Sequence, residues 1–377
     1  MKRFLLAALA LTLVFAAVVL VQAWPAFGKS ADGVRRARME QSPQWHDGSF
    51  ANPEPIINHV GTMLNGMLHV SEYASPAPPL QVAPLDPAAL RTPPASGLRI
   101  TWFGHSATLI ELDGTRVLTD PSWSERSSPL SWLGPRHGFT PPIALKELPR
   151  IDAVVISHDH YDHLDYPTLV AMKDWPTKFV VPLGIGAYLE GWGIAPAKII
   201  ELDWWERADV NGLTIVATPA RHASGRTPFD RDQTLWASYA LLGPQHRVYF
   251  SGDTGMFDAL REIGRQYGPF DVTMIEVGQY HGGWPDWHIG PEQAVKAAQQ
   301  LRGKVFFPIH WGGLQLAYHT WTEPVERVLA AAKTPVVIPS PGQPVEPTTS
   351  PALEHWWPKL PFQSAREAPI VSSGVSQ

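Results

Sequence analysis

The nine residues SHDHYDHLD, Ser157 to Asp165, hold three histidines and three aspartates. Ionisable groups packed this densely repel one another or lose hydration, and both effects cost free energy. A cation that draws on all of them removes that cost. The stretch follows directly on IDAVVI (151–156), an apolar run of the kind that forms a strand buried on both faces. His158, His160, Asp162 and His163 therefore sit where a strand gives way to a loop.

Three more donors fall at similar places. His222 follows LTIVATPAR (213–221), Asp253 follows HRVYFSG (246–252), and His310 ends KVFFPIH (304–310). Strand ends on one edge of a sheet can converge, and ligands placed there are held by a rigid scaffold. A lone strand-end histidine is more often a loop residue; the joint placement is what carries the reading. Imidazole nitrogen and carboxylate oxygen suit zinc, and manganese or iron less often. The chain has no cysteine, so thiolate ligands and disulfides are excluded. Seven donors exceed what one tetrahedral ion takes but suit a pair. An aspartate can bridge two ions, which at a spacing of roughly 3.5–4 Å hold a shared water and lower its pKa toward about 7.

The surrounding texture gives the fold class. LRITWFG (98–104), ATLIELDG (107–114) and TRVLTDP (115–121) read as short strands, with Asp113-Gly114 a hairpin signal. Later strands alternate with helical stretches: YPTLVAMK (166–173), GIGAYLEGW (184–192), GMFDALREIGRQYG (255–268), GPEQAVKAAQQLR (290–302) and TEPVERVLAAAK (322–333). An α/β chain of this order is accommodated by two packed sheets with helices on their outer faces. The expected organisation is an N-terminal signal peptide or membrane anchor over 1–23 and a Pro-rich arm, partly packed on the catalytic domain, over 24–97. The catalytic domain itself covers 98–342, and a Pro/Ser-rich tail covers 343–377.

Lys2 and Arg3 precede an apolar run from Phe4 to Ala23. As a helix rising about 1.5 Å per residue it spans roughly 30 Å, the thickness of a bilayer core. Val21-Gln22-Ala23 resembles a signal-peptidase site, whereas the length of the run suits an uncleaved anchor. Lys29, Arg35, Arg36 and Arg38 lie beyond it, so the charge bias is not one-sided. The balance favours export, to a membrane-associated or periplasmic place. A net charge of −5 over 377 residues offers no basic field for nucleic acid. The oligomeric state is left open, a homodimer included.

HxHxDH, a distant histidine, a Gly-Asp-Thr and a final histidine together resemble the metallo-β-lactamase superfamily. Further segments resemble its N-acyl-phosphatidylethanolamine-hydrolysing phospholipase D family. They are HDGSFANPEP (46–55), WFGHSATLIELDGTRVLTDPSWSERSSP (102–129), LPRIDAVVISHDHYDHLDY (148–166), VVPLG (180–184), IELDWWE (200–206), GDTG (252–255), REIGRQYGPFD (261–271) and IHWGGLQLA (309–317). The similarity runs from about Trp45 to Pro341.

The resemblance implies a metallo-β-lactamase αββα sandwich with the site at one edge. It implies two Zn2+ ions, one on His158, His160 and His222, the other on Asp162, His163 and His310, with Asp253 bridging. The implied reaction is that of a phosphoric diester hydrolase, turning N-acyl-phosphatidylethanolamine into N-acylethanolamine and phosphatidic acid. Asp162 and Asp253 would be catalytic, as would His288 in WPDWHIGPEQAV, which matches a family histidine near the reaction centre. Gly290 departs from the pattern, standing where the family has an aspartate. Asp120 suits a carboxylate holding a ligand histidine, or equally a turn before Pro121. His105 faces the same cleft or is a packed loop residue. Tyr280, Trp284, Trp287 and Trp311 suit an amphipathic lip for acyl chains, or the core. Metal ligands do not choose a substrate, so a lactone or other small ester is the alternative. A non-catalytic, membrane-tethered metal-binding protein is a further one.

Overall fold

Side-chain alternation builds the layers. The computed structural model describes residues 1–349 and 355–374. In chain order the elements are α1 (Lys2–Phe27), α2 (Gly33–Met39), β1 (Trp45–His46), β2 (Ser49–Phe50), α3 (Val60–Leu68), β3 (Leu98–Gly104), β4 (Ala107–Leu112), β5 (Thr115–Thr119), β6 (Ala153–Val155), α4 (Tyr166–Ala171), β7 (Lys178–Pro182), α5 (Ile185–Gly191), β8 (Ile199–Leu202), β9 (Arg207–Val210), β10 (Leu213–Thr218), β11 (Ser238–Leu242), β12 (Arg247–Phe250), α6 (Ala259–Tyr267), β13 (Phe270–Glu276), α7 (Pro291–Gln300), β14 (Gly303–Ile309), α8 (Glu323–Ala331) and β15 (Pro344–Val345). Seven strands form one sheet in the order β15-β3-β4-β5-β6-β7-β8, and six form another, β14-β13-β12-β11-β10-β9.

Ile100, Trp102, Ile110, Val117, Val155 and Val180 belong to the core that joins the two sheets. Their neighbours Leu109, Leu118, Val154, Phe179 and Val181 pack instead with Leu169 of α4 and Ile185 and Leu189 of α5. Each such side chain, fully buried, contributes about 1.5–3 kcal/mol of transfer free energy. On the other sheet, Leu260, Ile263, Val295, Val325 and Val328 bring α6, α7 and α8 into the main core. The layers are therefore helix, sheet, sheet, helix, as expected of an αββα sandwich. The turn between β4 and β5 uses Asp113 and Gly114, both at positive φ, which is the backbone that the Asp-Gly pair favours.

Strand direction puts the donors on one edge. β3 and β5 are each antiparallel to β4, so they run the same way, and β6 and β7 continue parallel to β5. In the second sheet β10 and β12 are each antiparallel to β11, and β13 and β14 continue parallel to β12. The C-terminal ends of β3, β5 and β6 release the chain just before His105, Asp120 and His158. Those of β10, β12 and β14 do so just before His222, Asp253 and His310.

The arm is more ordered than its composition suggests. α2, the β1–β2 pair and α3 lie within it, and Phe50 is buried in the main core. Arg35 bridges Glu190 at 2.6 Å and Glu201 at 2.5 Å, tying α2 to the sandwich. α1 continues past Ala23 to Phe27, and its last turn is docked. Trp192 Nε1–H donates to Pro25 O at 2.8 Å, Arg226 Nε–H donates to Ala26 O at 2.8 Å, and Ala23 and Ala26 are buried.

The segment expected as a tail is packed as well. β15 pairs with β3, and Trp357 is buried in the main core. Trp356 stands 5.5 Å from Trp311 and 6.3 Å from Trp102, ring centre to ring centre. Ser373 donates to Asp286 through both its backbone N–H and its hydroxyl. Pro and Ser content hid these anchors, whose apolar area outweighs the composition around them. Residues 350–354 and 375–377 of that segment lie outside the described residues.

Candidate metal centre

The site is assembled from hydrogen bonds that fix each imidazole. Asp120, at the end of β5, accepts from Ser157 N–H at 2.7 Å and Ser157 Oγ–H at 2.6 Å. It also accepts from His163 Nδ1 at 2.7 Å, which leaves His163 Nε2 free as a lone-pair donor. Ser157 Oγ in turn lies 2.9 Å from His158 Nδ1. His222 Nδ1–H donates to Trp287 O at 2.9 Å, and Asn52 from the arm clamps the His222 backbone from both sides. Asp120 thus orients a candidate ligand, rather than merely capping a turn.

Two groups of nitrogen converge. His160 Nδ1 lies 2.8 Å from His158 Nε2 and 3.3 Å from His222 Nε2. On the other side His163 Nε2 is 3.4 Å and His310 Nε2 3.7 Å from Asp162 Oδ2. One oxygen, Asp253 Oδ2, faces both groups. It is 3.9 Å from His158 Nε2 and 3.8 Å from His222 Nε2, and 3.2 Å from His163 Nε2 and 3.1 Å from His310 Nε2. The seven sequence-predicted donors therefore meet at one place. His310 adopts φ 64°, which swings its ring off the end of β14 toward the centre.

His105 joins them. Its Nε2 lies 2.8 Å from Asp162 Oδ2, and burial, with the charge of His310 adding to it, lowers its pKa to about 3. The ring is neutral and donates to the carboxylate. His288 lies with Nδ1 3.8 Å from Asp253 Oδ2 and 2.8 Å from Glu276 Oε2. Glu276, the last residue of β13, was not singled out in the sequence. It is fully buried and also accepts the N–H of Thr254. Its only sequence signal is an acidic residue closing the run FDVTMIE.

The chemistry of the donor set fits a cation. Among the described residues His163 Nε2, His310 Nε2 and Asp253 Oδ1 are buried without a hydrogen-bond partner. An unpaired buried polar atom costs about 1–3 kcal/mol, so three at one place call for a common partner. Burial drives His158 and His222 well below their ordinary value, with further lowering from neighbouring histidines, so both are neutral and able to ligate. For His163 and His310 burial also lowers the pKa, but Asp253 and the other carboxylates outweigh it and hold both rings well above the ordinary value. Protons there stand where a divalent cation would take their place.

The aromatic candidates divide. Trp284 and Trp287 are half-buried and, with Val60, Met63, Leu316 and His288, line an open cavity of about 490 Å³. Tyr280 and Trp311 do not join this lip. Tyr280 is buried with its hydroxyl on Glu323 at 2.7 Å, and Trp311 stacks on Trp102 at 5.4 Å in the core. Tyr280 stacks on His319 at 4.3 Å with the Arg327 guanidinium over its ring, whereas Trp311 packs among Trp102, Trp321, Trp356 and Trp357. Gly290 has a packing reason for its departure: a Cβ there would come within 2.7 Å of Ile370 in the C-terminal segment.

A family profile described as Beta-lactamase superfamily domain matches residues 115–311, more than half of the chain. The chain belongs to the metallo-β-lactamase superfamily and is a metal-dependent hydrolase of that fold. An uncharacterized protein of Mycobacterium tuberculosis is 46% identical over 342 residues, covering 88% of this chain and 91% of the relative. An N-acyl-phosphatidylethanolamine-hydrolyzing phospholipase D of Caenorhabditis elegans is 38% identical over 229 residues, 58% of this chain and 64% of that one. Among solved structures, a metallo hydrolase from the archaeon Ignicoccus hospitalis superposes with a TM-score of 0.52 at 27% identity, over 66% of this chain and 97% of the other.

Proposed function

We propose that the protein is a dinuclear hydrolase of the phospholipase D type, which cleaves the phosphodiester of a membrane phospholipid such as N-acyl-phosphatidylethanolamine. The observation that carries the dinuclear reading is the one oxygen, Asp253 Oδ2, facing His158 and His222 on one side and His163 and His310 on the other. His158, His160 and His222 would hold one ion and Asp162, His163 and His310 the other, with Asp253 facing both groups. This donor set suits zinc, with manganese or iron as substitutes. When bound they lower the pKa of a water toward about 7 and draw charge from phosphoryl oxygen.

The protein's own groups do the rest. Asp253 and Asp162 would orient the attacking water toward phosphorus. His288 keeps its Nδ1–H on Glu276, so Nε2 is the free nitrogen; as the imidazolium, with both nitrogens protonated, it would hand its Nε2 proton to the departing alcohol oxygen and revert to the neutral ring. Water and phosphodiester become phosphatidic acid and an N-acylethanolamine. Trp284, Trp287, Met63 and Leu316 receive acyl chains and exclude water from that flank.

The membrane reading rests on α1, whose residues Arg3–Phe27 are long and apolar enough to cross a bilayer. The docked residues Pro25 and Ala26 lie past Ala23 and hold the end of this helix on the catalytic unit, which we place on the exported side whether the apolar run is retained as an anchor or cleaved as a signal. The partner is thus a lipid surface, not nucleic acid.

The test is turnover of N-acyl-phosphatidylethanolamine in mixed micelles of labelled water, by the full-length protein. We expect N-acylethanolamine and phosphatidic acid carrying the label on phosphate, abolished by a chelator and restored by Zn2+. Chelator-sensitive opening of a lactone without lipid cleavage would instead support the small-ester reading.

A further inference from the structure

A buried carboxylate is expensive unless cations or several hydrogen-bond donors surround it. Glu276 is fully buried at the end of β13, where its carboxylate meets His288, His310 and the backbone just after Asp253. Its Oε2 lies 2.8 Å from His288 Nδ1 and 3.3 Å from His310 Nδ1, the second contact being off the hydrogen-bond axis. Its Oε1 accepts from the backbone N–H of Thr254, the residue after Asp253. β13 lies between β12 and β14 in a parallel register, so its last residue reaches the loops that follow both neighbours.

We propose that Glu276 is a positioning residue of the metal centre. One side chain sets the tautomer of His310, the ring orientation of His288 and the loop that carries Asp253. With Nδ1 of His310 facing a carboxylate, the proton of the neutral ring stays on Nδ1 and the lone pair on Nε2, the nitrogen that faces Asp253 Oδ2 at 3.1 Å. The same carboxylate holds the proton-bearing Nδ1 of His288. Glutamine cannot replace it: with its single acceptor oxygen on Thr254 N–H, its amide N–H groups face the two imidazoles and push the His310 proton to Nε2, closing that nitrogen to a cation.

This rests on the two-ion ligand assignment proposed above, and the experiment separates the two. Co2+ alone is titrated into metal-free full-length protein, and its visible spectrum reports the two binding events. For E276Q we expect the first equivalent to bind as in the unsubstituted protein and the second about 10–100-fold more weakly, the usual consequence of losing a carboxylate behind a ligand histidine. E276D keeps the buried charge while withdrawing its oxygens by one methylene. It carries the same expectation should E276Q fail to fold, as read by circular dichroism. Two equivalents bound with unchanged affinity in whichever variant folds would overturn the role of Glu276. H310A is the reference. If it too binds both equivalents normally, the ligand assignment fails; if it loses one while E276Q keeps both, only the Glu276 inference fails.

Discussion

Asp253 concentrates the chemistry in a single oxygen. Substitution by asparagine keeps the shape but removes the charge that four imidazoles face. We expect D253N to lose at least about 10²–10³-fold in turnover, the loss typical of one transition-state-stabilising group, together with bound metal. Asp120 acts one step back, through His163 Nδ1. D120N should weaken metal affinity about 10–100-fold, measured by chelator competition, with a smaller effect at saturating metal. Proton linkage gives a third expectation. The pKa values of His163 and His310 are raised, so both rings are protonated near neutrality in the metal-free protein and must lose those protons to ligate. Affinity should therefore rise with pH through the neutral range, with proton release visible as a buffer-dependent heat of binding. An affinity flat in pH would contradict it. At this scale the seven donors were legible because each follows an apolar run. Glu276 was not: a single glutamate closing a strand looks like any residue turning to solvent, and only the two flanking parallel strands bury it.

Elements were legible where periodicity was strong. Strands β3 to β6 and helices α6 to α8 fall within the runs read from sequence, since apolar alternation and helical spacing act locally. The arm and the C-terminal segment were not, because their order comes from distant partners. Asn52 becomes a brace only when β10 presents the His222 backbone to it. Ile370 matters only against Gly290. Restoring aspartate at that position, G290D, should therefore cost about 1–3 kcal/mol, the usual range for overpacking, read as a lowered melting temperature. Stability unchanged by G290D would show that the C-terminal segment is not seated there.

At the scale of the whole molecule, the apolar helix α1 and the loop of candidate ligands are joined through Arg226. Arg226 donates to Ala26 O in α1 and to Asp159 O and Leu164 O, which bracket His160, Asp162 and His163, while its guanidinium lies 4.1 Å over Tyr161. α1 cannot be removed without leaving Arg226 Nε and Trp192 Nε1 unpaired, at about 1–3 kcal/mol for each if both stay dry. A chain lacking residues 1–27 should leave the membrane fraction and melt at a lower temperature; unchanged melting would mean that the helix is a mere tether. Composition marked the apolar run, but its docking needed the fold, because Trp192 and Arg226 lie far along the chain.

The most direct measurement is metal content set beside activity on one preparation. Full-length protein, purified without added metal, is analysed for bound transition metal and assayed on N-acyl-phosphatidylethanolamine before and after chelation. We expect about two ions per chain, dominated by zinc, and hydrolysis that disappears and returns with them. One ion or none per fully active chain, or hydrolysis indifferent to the chelator, would contradict a pair of cations gripped by these seven side chains.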